Sequence, residues 1–122
     1  MTIAAAMKMG REMPGVERST AWGAPALKLH GKMIACQAIN KAAEPNTLVV
    51  RIPFTQRDEL IAADPNTYYV KPHYQDYPCV LVRLSRVHPD ALRGLLRMGW
   101  EFTSANTARK RTRPAAKRTV RA

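Results

Sequence analysis

Three histidines and two cysteines are the side chains best suited to proton transfer, nucleophilic attack or metal binding in this chain of 122 residues. His30 falls at a predicted hairpin turn and His88 just before a predicted helix, so each has a local structural role. His73 is more suggestive, because Lys71, His73, Tyr74, Asp76 and Tyr77 lie in one short stretch. An imidazole beside a carboxylate can move protons near neutral pH. A reaction centre needs more than that, and the chain has no nucleophile motif, no glycine-rich phosphate loop and no carboxylate pair at a useful spacing. Packed aromatics with polar tips account for the stretch. Cys36 and Cys79 stand 43 positions apart, each in an apolar run. No Cys-x-x-Cys or Cys/His spacing suggests zinc, so they read as small buried hydrophobes in a reducing compartment. The sequence predicts a protein that is not an enzyme and uses neither cofactor nor metal.

Charge points elsewhere. The chain carries 20 Lys+Arg against 9 Asp+Glu, a net +11, and the excess is unevenly placed. Residues 105–122 hold Arg109, Lys110, Arg111, Arg113, Lys117, Arg118 and Arg121 and no acid, which leaves the remainder at only +4. Such a segment neutralises phosphates and releases counterions whatever the base sequence. With about four cations on duplex DNA, affinity falls roughly 150-fold between about 50 and 200 mM salt. Nucleic acid is therefore the expected partner, although anionic lipid or ribosomal RNA would also meet the tail. Candidate contacts in the body are Lys28, Lys32, Arg51, Lys71, His73 and Arg83. Four of these, Lys28, Arg51, Lys71 and Arg83, lie on predicted strands. By alternation they point away from the helices and pool into a positive face, or they are scattered solvating charges. Aromatics near Lys71 and Arg83 would permit base stacking. The last predicted helix offers only Arg93 and Arg97 on its polar side, so no recognition helix stands out.

These groups need a scaffold, and hydrophobic periodicity outlines one. Thr2 to Met13 reads as a helix stopped by Pro14-Gly15. From Ala26 the period becomes two, and His30-Gly31 turns the chain into a second strand, Lys32 to Ile39. Thr47 to Ile52 is β-branched and reads as a third strand. Thr55 is the expected N-cap of a short helix, with Asp58 in capping-box position and Leu60 and Ile61 facing inward. Tyr68 to Lys71 and Cys79 to Leu84 are the fourth and fifth strands, separated by an aromatic loop. Pro89 suits the first turn of a last helix whose buried stripe is Leu92, Leu95, Leu96 and Trp100.

The prediction is an α+β fold, α-β-β-β-α-β-β-α, with two layers: a largely antiparallel five-stranded sheet and helices on one face. The domain spans 1–104, and 105–122 is a basic tail with too little apolar surface to fold alone. No apolar run reaches the roughly 18 to 20 residues that cross a bilayer. Lys8 and Arg11 follow rather than precede the N-terminal apolar stretch, so no secretory signal is read, no membrane insertion is expected and the cytoplasm is the expected address.

Three ordered blocks carry a family resemblance. Pro14 to Lys32, with Gly23-Ala24-Pro25-Ala26-Leu27-Lys28-Leu29-His30-Gly31-Lys32 at its end, is similar to the opening signature of the MmcQ/YjbR family. Leu60 to Pro65 followed by Tyr68 to Tyr74 is the second block, and Tyr77 to Leu84 is the third. Cys79 departs from the pattern, since many relatives have tryptophan after the proline, and the basic tail lies outside it. The resemblance implies a fold similar to secretion chaperones and a role in DNA binding with a double-wing arrangement, which favours DNA over RNA. The competing expectation is a protein-binding adaptor, with a partner peptide on the sheet or beside the last helix. An exposed apolar patch on the sheet would favour the adaptor, and a continuous positive face would favour nucleic acid.

Overall fold

A computed structural model describes residues 1–39 and 43–105. The expectation of a disordered tail falls, from residue 106 onward, outside the described residues. Six strands form one sheet: β1 (Val16–Ala21), β2 (Ala24–Leu29), β3 (Lys32–Gln37), β4 (Thr47–Arg51), β5 (Tyr68–Tyr69) and β6 (Cys79–Arg83). Their spatial order is β1-β2-β3-β4-β6-β5, and each neighbouring pair is antiparallel. Three α-helices complete the domain: α1 (Ile3–Gly10), α2 (Phe54–Ala63) and α3 (Pro89–Arg121). A 3-10 turn, Pro72–Tyr74, lies between β5 and β6.

Alternation along the strands sends one set of apolar side chains toward the helices. Leu27, Leu29, Ile34, Leu48, Val50, Val80 and Val82 pack with Met7 of α1 and with Leu92, Leu95 and Leu96 of α3. Leu60 and Ile61 of α2 are partly buried against the same cluster, so all three α-helices cover one face, as expected. Close approach is enabled by Gly99 of α3, where a Cβ would meet Ile34 Cγ2 at 3.0 Å and the Arg51 carbonyl oxygen at 3.1 Å. That contact seats the helix directly on β3 and β4.

Two expectations need correction. The sheet has six strands rather than five, because β1 was not anticipated. Val16-Glu17-Arg18-Ser19-Thr20-Ala21 is an edge strand in which no residue is fully buried and four of six are polar, so it has no apolar alternation to read. It pairs with β2 through the two-residue turn Trp22-Gly23, with φ of +53° and +81°. His30-Gly31 joins β2 to β3 in the same way, with φ of +52° and +80°. Two positive φ values in a two-residue loop match the twist of antiparallel strands. The second correction concerns α2, which begins at Phe54 with Pro53 at its N-cap and no side-chain capping bond, so Thr55 lies inside the helix.

Candidate binding face

The face of the sheet opposite the helices is where function has room. Ala26, Cys36, Val49, Leu81 and Tyr69 are register partners across β2, β3, β4, β6 and β5, and together form a second, smaller apolar cluster. Among the described residues, none of α1, α2 or α3 belongs to it. Above its end lies a cleft of about 650 Å³. Cys36, Val49 and Cys79 form the floor, while Trp22, Met33 and Ile39 make one wall. The 3-10 turn and its continuation supply the other wall through His73, Tyr74, Tyr77 and Pro78, and Arg51 stands at the end of β4. Trp22 is 80% exposed and Tyr77 60% exposed, so two large rings lie open at the mouth. A tryptophan at φ +53° is an uncommon, strained placement of a bulky side chain, of the kind that collects at functional sites.

The aromatic wall is held by a residue that sequence reasoning did not select. Arg57 of α2 is only 8% exposed. Its Nη1 donates to the carbonyl oxygens of Gln75 at 3.0 Å and Tyr77 at 3.3 Å. Nε donates to Asp58 at 3.2 Å, and the guanidinium lies 4.8 Å from the centre of the Phe54 ring. This clamp fixes the loop that carries His73, Tyr74 and Tyr77. His73 and Tyr74 meet edge to face with centroids 4.9 Å apart.

Lys28, Arg51 and Arg83 sit on the open side by register, whereas Lys71, expected on a strand, lies beyond β5 at the start of the 3-10 turn, and the four do not form one positive face. Arg83 is engaged by Glu44, with Nε–Oε1 at 2.8 Å and Nη2–Oε2 at 2.6 Å, and it also donates to the carbonyls of Pro65 and Asn66. Its guanidinium lies 4.2 Å from the centre of the Tyr69 ring, and Lys71 Nζ lies 5.8 Å from the same centre. The Tyr69 hydroxyl completes this cluster, accepting from the Glu44 N–H at 2.9 Å and sharing a 2.7 Å bond with Thr47 Oγ1. The Arg83 hydrogen bond holds the Glu44 carboxyl below its usual range, against an opposing effect of burial and with help from the Arg83 and Lys71 charges. Arg51 is at the other end of β4, four residues from Thr47, or about 13 Å along a strand. It lines the cleft, and its guanidinium is 5.5 Å from the centre of the Phe102 ring on α3. Lys28 is half-buried opposite Glu17 and Met33. Lys32 pairs with Leu29, a residue of the helix-side core, and is exposed. The pooled positive surface is thus replaced by an apolar centre with charges at its margins. The tail cations Arg109, Lys110, Arg111, Arg113, Lys117, Arg118 and Arg121 lie outside the described residues.

Both cysteines are buried in the floor of the cleft. Burial pushes each thiol up to about 11, with Cys79 adding to the effect at Cys36, and with Arg57 and Arg51 opposing it at Cys79. They are free cysteines. Two strand spacings of roughly 4.8 Å separate β3 from β6, which already exceeds the roughly 7 Å between Cα atoms that a disulfide can bridge. No group of three or more His, Cys, Asp or Glu side chains among the described residues could hold a metal ion. None of the described helices is long and apolar enough to cross a membrane.

Sequence reasoning reached Arg51, His73 and both cysteines of the cleft but not Trp22, Met33, Ile39 or Tyr77 as one constellation. The Trp22-Gly23 pair was the available signal for the first hairpin, since a residue followed by glycine suits a two-residue turn. Comparison with protein families matches the YjbR family over residues 11–102. No curated protein and no solved structure matches the chain.

Proposed function

The chain belongs to the YjbR family, and from that premise we propose that it is a cytosolic, non-catalytic nucleic-acid-binding protein without base-sequence preference. DNA ranks ahead of RNA, in line with the resemblance drawn from the three sequence blocks. The observation that carries the reading is where the cationic segment starts. Arg51, at the rim of the open-face cleft, stacks over Phe102 of α3. Within one helical turn of Phe102 the sequence enters residues 105–122, with their seven cations and no acid. The exposed rings of Trp22 and Tyr77 on the open face add surfaces on which unpaired bases can stack, beside the phosphate attraction that the seven cations supply.

The test replaces Arg109, Lys110, Arg111, Arg113, Lys117, Arg118 and Arg121 by glutamine in the full-length chain. Affinity for single- and double-stranded oligonucleotides is then followed against salt. With about four phosphates engaged, the parent has a log–log slope near −3.6 on duplex DNA and the variant a much flatter one. Equal affinity and equal slope for the two proteins would refute the proposal. A second reading, a partner-protein adaptor, is favoured by the exposed apolar side chains Trp22, Ile39 and Tyr77 around the cleft, and an unaltered salt slope would turn attention to it.

A further inference from the structure

We propose that the open-face cleft is a binding site for a small organic anion with an apolar, ring-bearing body. The body lies on Cys36, Val49 and Cys79 beneath Trp22 and Tyr77, and its single negative group meets Arg51. This site is separate from the phosphate-binding role of the tail, and either can fail without the other.

Size is the first argument. A cleft of about 650 Å³ falls in the range of roughly 300–1,000 Å³ that small-molecule sites occupy. The chemistry of its surface is the second. Cys36, Val49 and Cys79 are each about 4% exposed and give the floor almost no hydrogen-bonding capacity, since both thiols are weak donors. A nucleobase inserted edge-first would leave its own donors and acceptors unpaired there, at a cost that disfavours it. A hydrocarbon or fused-ring body incurs no such cost. Stacking of bases on the exposed outer rings is unaffected by this argument.

Charge supplies the third argument and selects the anion. None of the residues lining the cleft is acidic. Three arginines of the body are not fully exposed: Arg51, Arg57 and Arg83. Arg57 is paired with Asp58 and Arg83 with Glu44, whereas Arg51 has no carboxylate partner among the described residues. Its guanidinium lies over the face of Phe102, which leaves the in-plane donors available to a carboxylate or sulfonate in a paired geometry. The cationic residues 105–122 cannot serve as the occupant, because like charge would face Arg51.

The probe pair is 8-anilino-1-naphthalenesulfonate and its uncharged relative N-phenyl-1-naphthylamine, titrated into the full-length protein by fluorescence. Binding sites are located by amide and indole chemical shifts. The expected result is one site for the sulfonate, with shifts at the Trp22 indole and at Cys36, Val49 and Cys79 and none at the Trp100 indole. Arg51→Gln should weaken the sulfonate by about tenfold or more while leaving the neutral probe within about twofold, because only a charge-assisted bond is lost. Cys79→Phe should fill the floor and weaken both probes. If that variant does not fold, shift mapping on the parent protein decides. Shifts dispersed over the surface or centred on residues 105–122, equal weakening of both probes by Arg51→Gln, or no binding at millimolar probe would each overturn the assignment.

Discussion

Replacing Arg57 by alanine isolates the clamp on the aromatic wall, and its cost can be worked from the contacts. Two hydrogen bonds to the carbonyls of Gln75 and Tyr77 are lost. Both residues are exposed, so water can take over those oxygens, and each bond counts for about 1 kcal/mol. Loss of the Phe54 contact at 4.8 Å adds about 0.5 kcal/mol. The Asp58 pair adds about zero, since that carboxylate is largely exposed. The total is about 2–3 kcal/mol, which for a domain of this size lowers the melting temperature by roughly 8–15 °C. Circular dichroism melts give the magnitude, and amide hydrogen exchange gives the location. Exchange should accelerate across residues 72–78 before it does in β3 or β4, because the clamp holds a loop and not the sheet. Arg57→Lys should recover only part of the loss, since an ammonium lacks the planar fork that reaches two carbonyls at once. A melting temperature within about 2 °C of the parent, together with unchanged exchange over 72–78, would refute the clamp.

The two cleft thiols, at about 11 instead of 9, should alkylate with iodoacetamide roughly a hundredfold more slowly than an exposed cysteine near neutral pH, the rate climbing with pH toward that value. Since Glu44 is held below its ordinary value by Arg83, its contribution to stability is present above the usual carboxylate range and is lost as pH falls through the lowered folded-state value. Urea midpoints measured from about pH 6 to about pH 3 should therefore fall less steeply for Glu44→Gln than for the parent. Two glycines of α3 should behave oppositely. Gly99→Ala meets Ile34, Val50 and the Arg51 carbonyl and should lose about 1–3 kcal/mol, while Gly94→Ala meets nothing within 4 Å and should gain about 0.5–1 kcal/mol by chemical denaturation.

Much of the scaffold was legible because burial imposes a period on the chain. Leu27 and Leu29 alternate with Lys28 and His30, and Leu92, Leu95 and Leu96 recur at helical spacing, so β2 and α3 declare themselves locally. The blocks around Gly23 to Lys32, Tyr68 to Tyr74 and Tyr77 to Leu84 pointed to the family, and its match covers residues 11–102. β1 was hidden because this edge strand buries no residue fully and has apolar side chains only at its two ends, Val16 and Ala21, so no period marks it. The uneven charge, too, is a property of the sequence alone, since a count of Lys, Arg, Asp and Glu needs no fold.

What the sequence could not decide was which charges are available and what they surround. Arg51 and Arg83 share a face by register, yet one reaches a carboxylate and the other does not. That difference depends on Glu44, which is 39 positions from Arg83 and meets it only after the chain folds. The cleft is likewise assembled from the β1–β2 turn, the ends of β3 and β4 and the loop before β6. Periodicity reports which side of a strand a residue takes. It carries no information on which distant segments converge there, and only tertiary packing set Trp22 across from Tyr77 over two buried thiols.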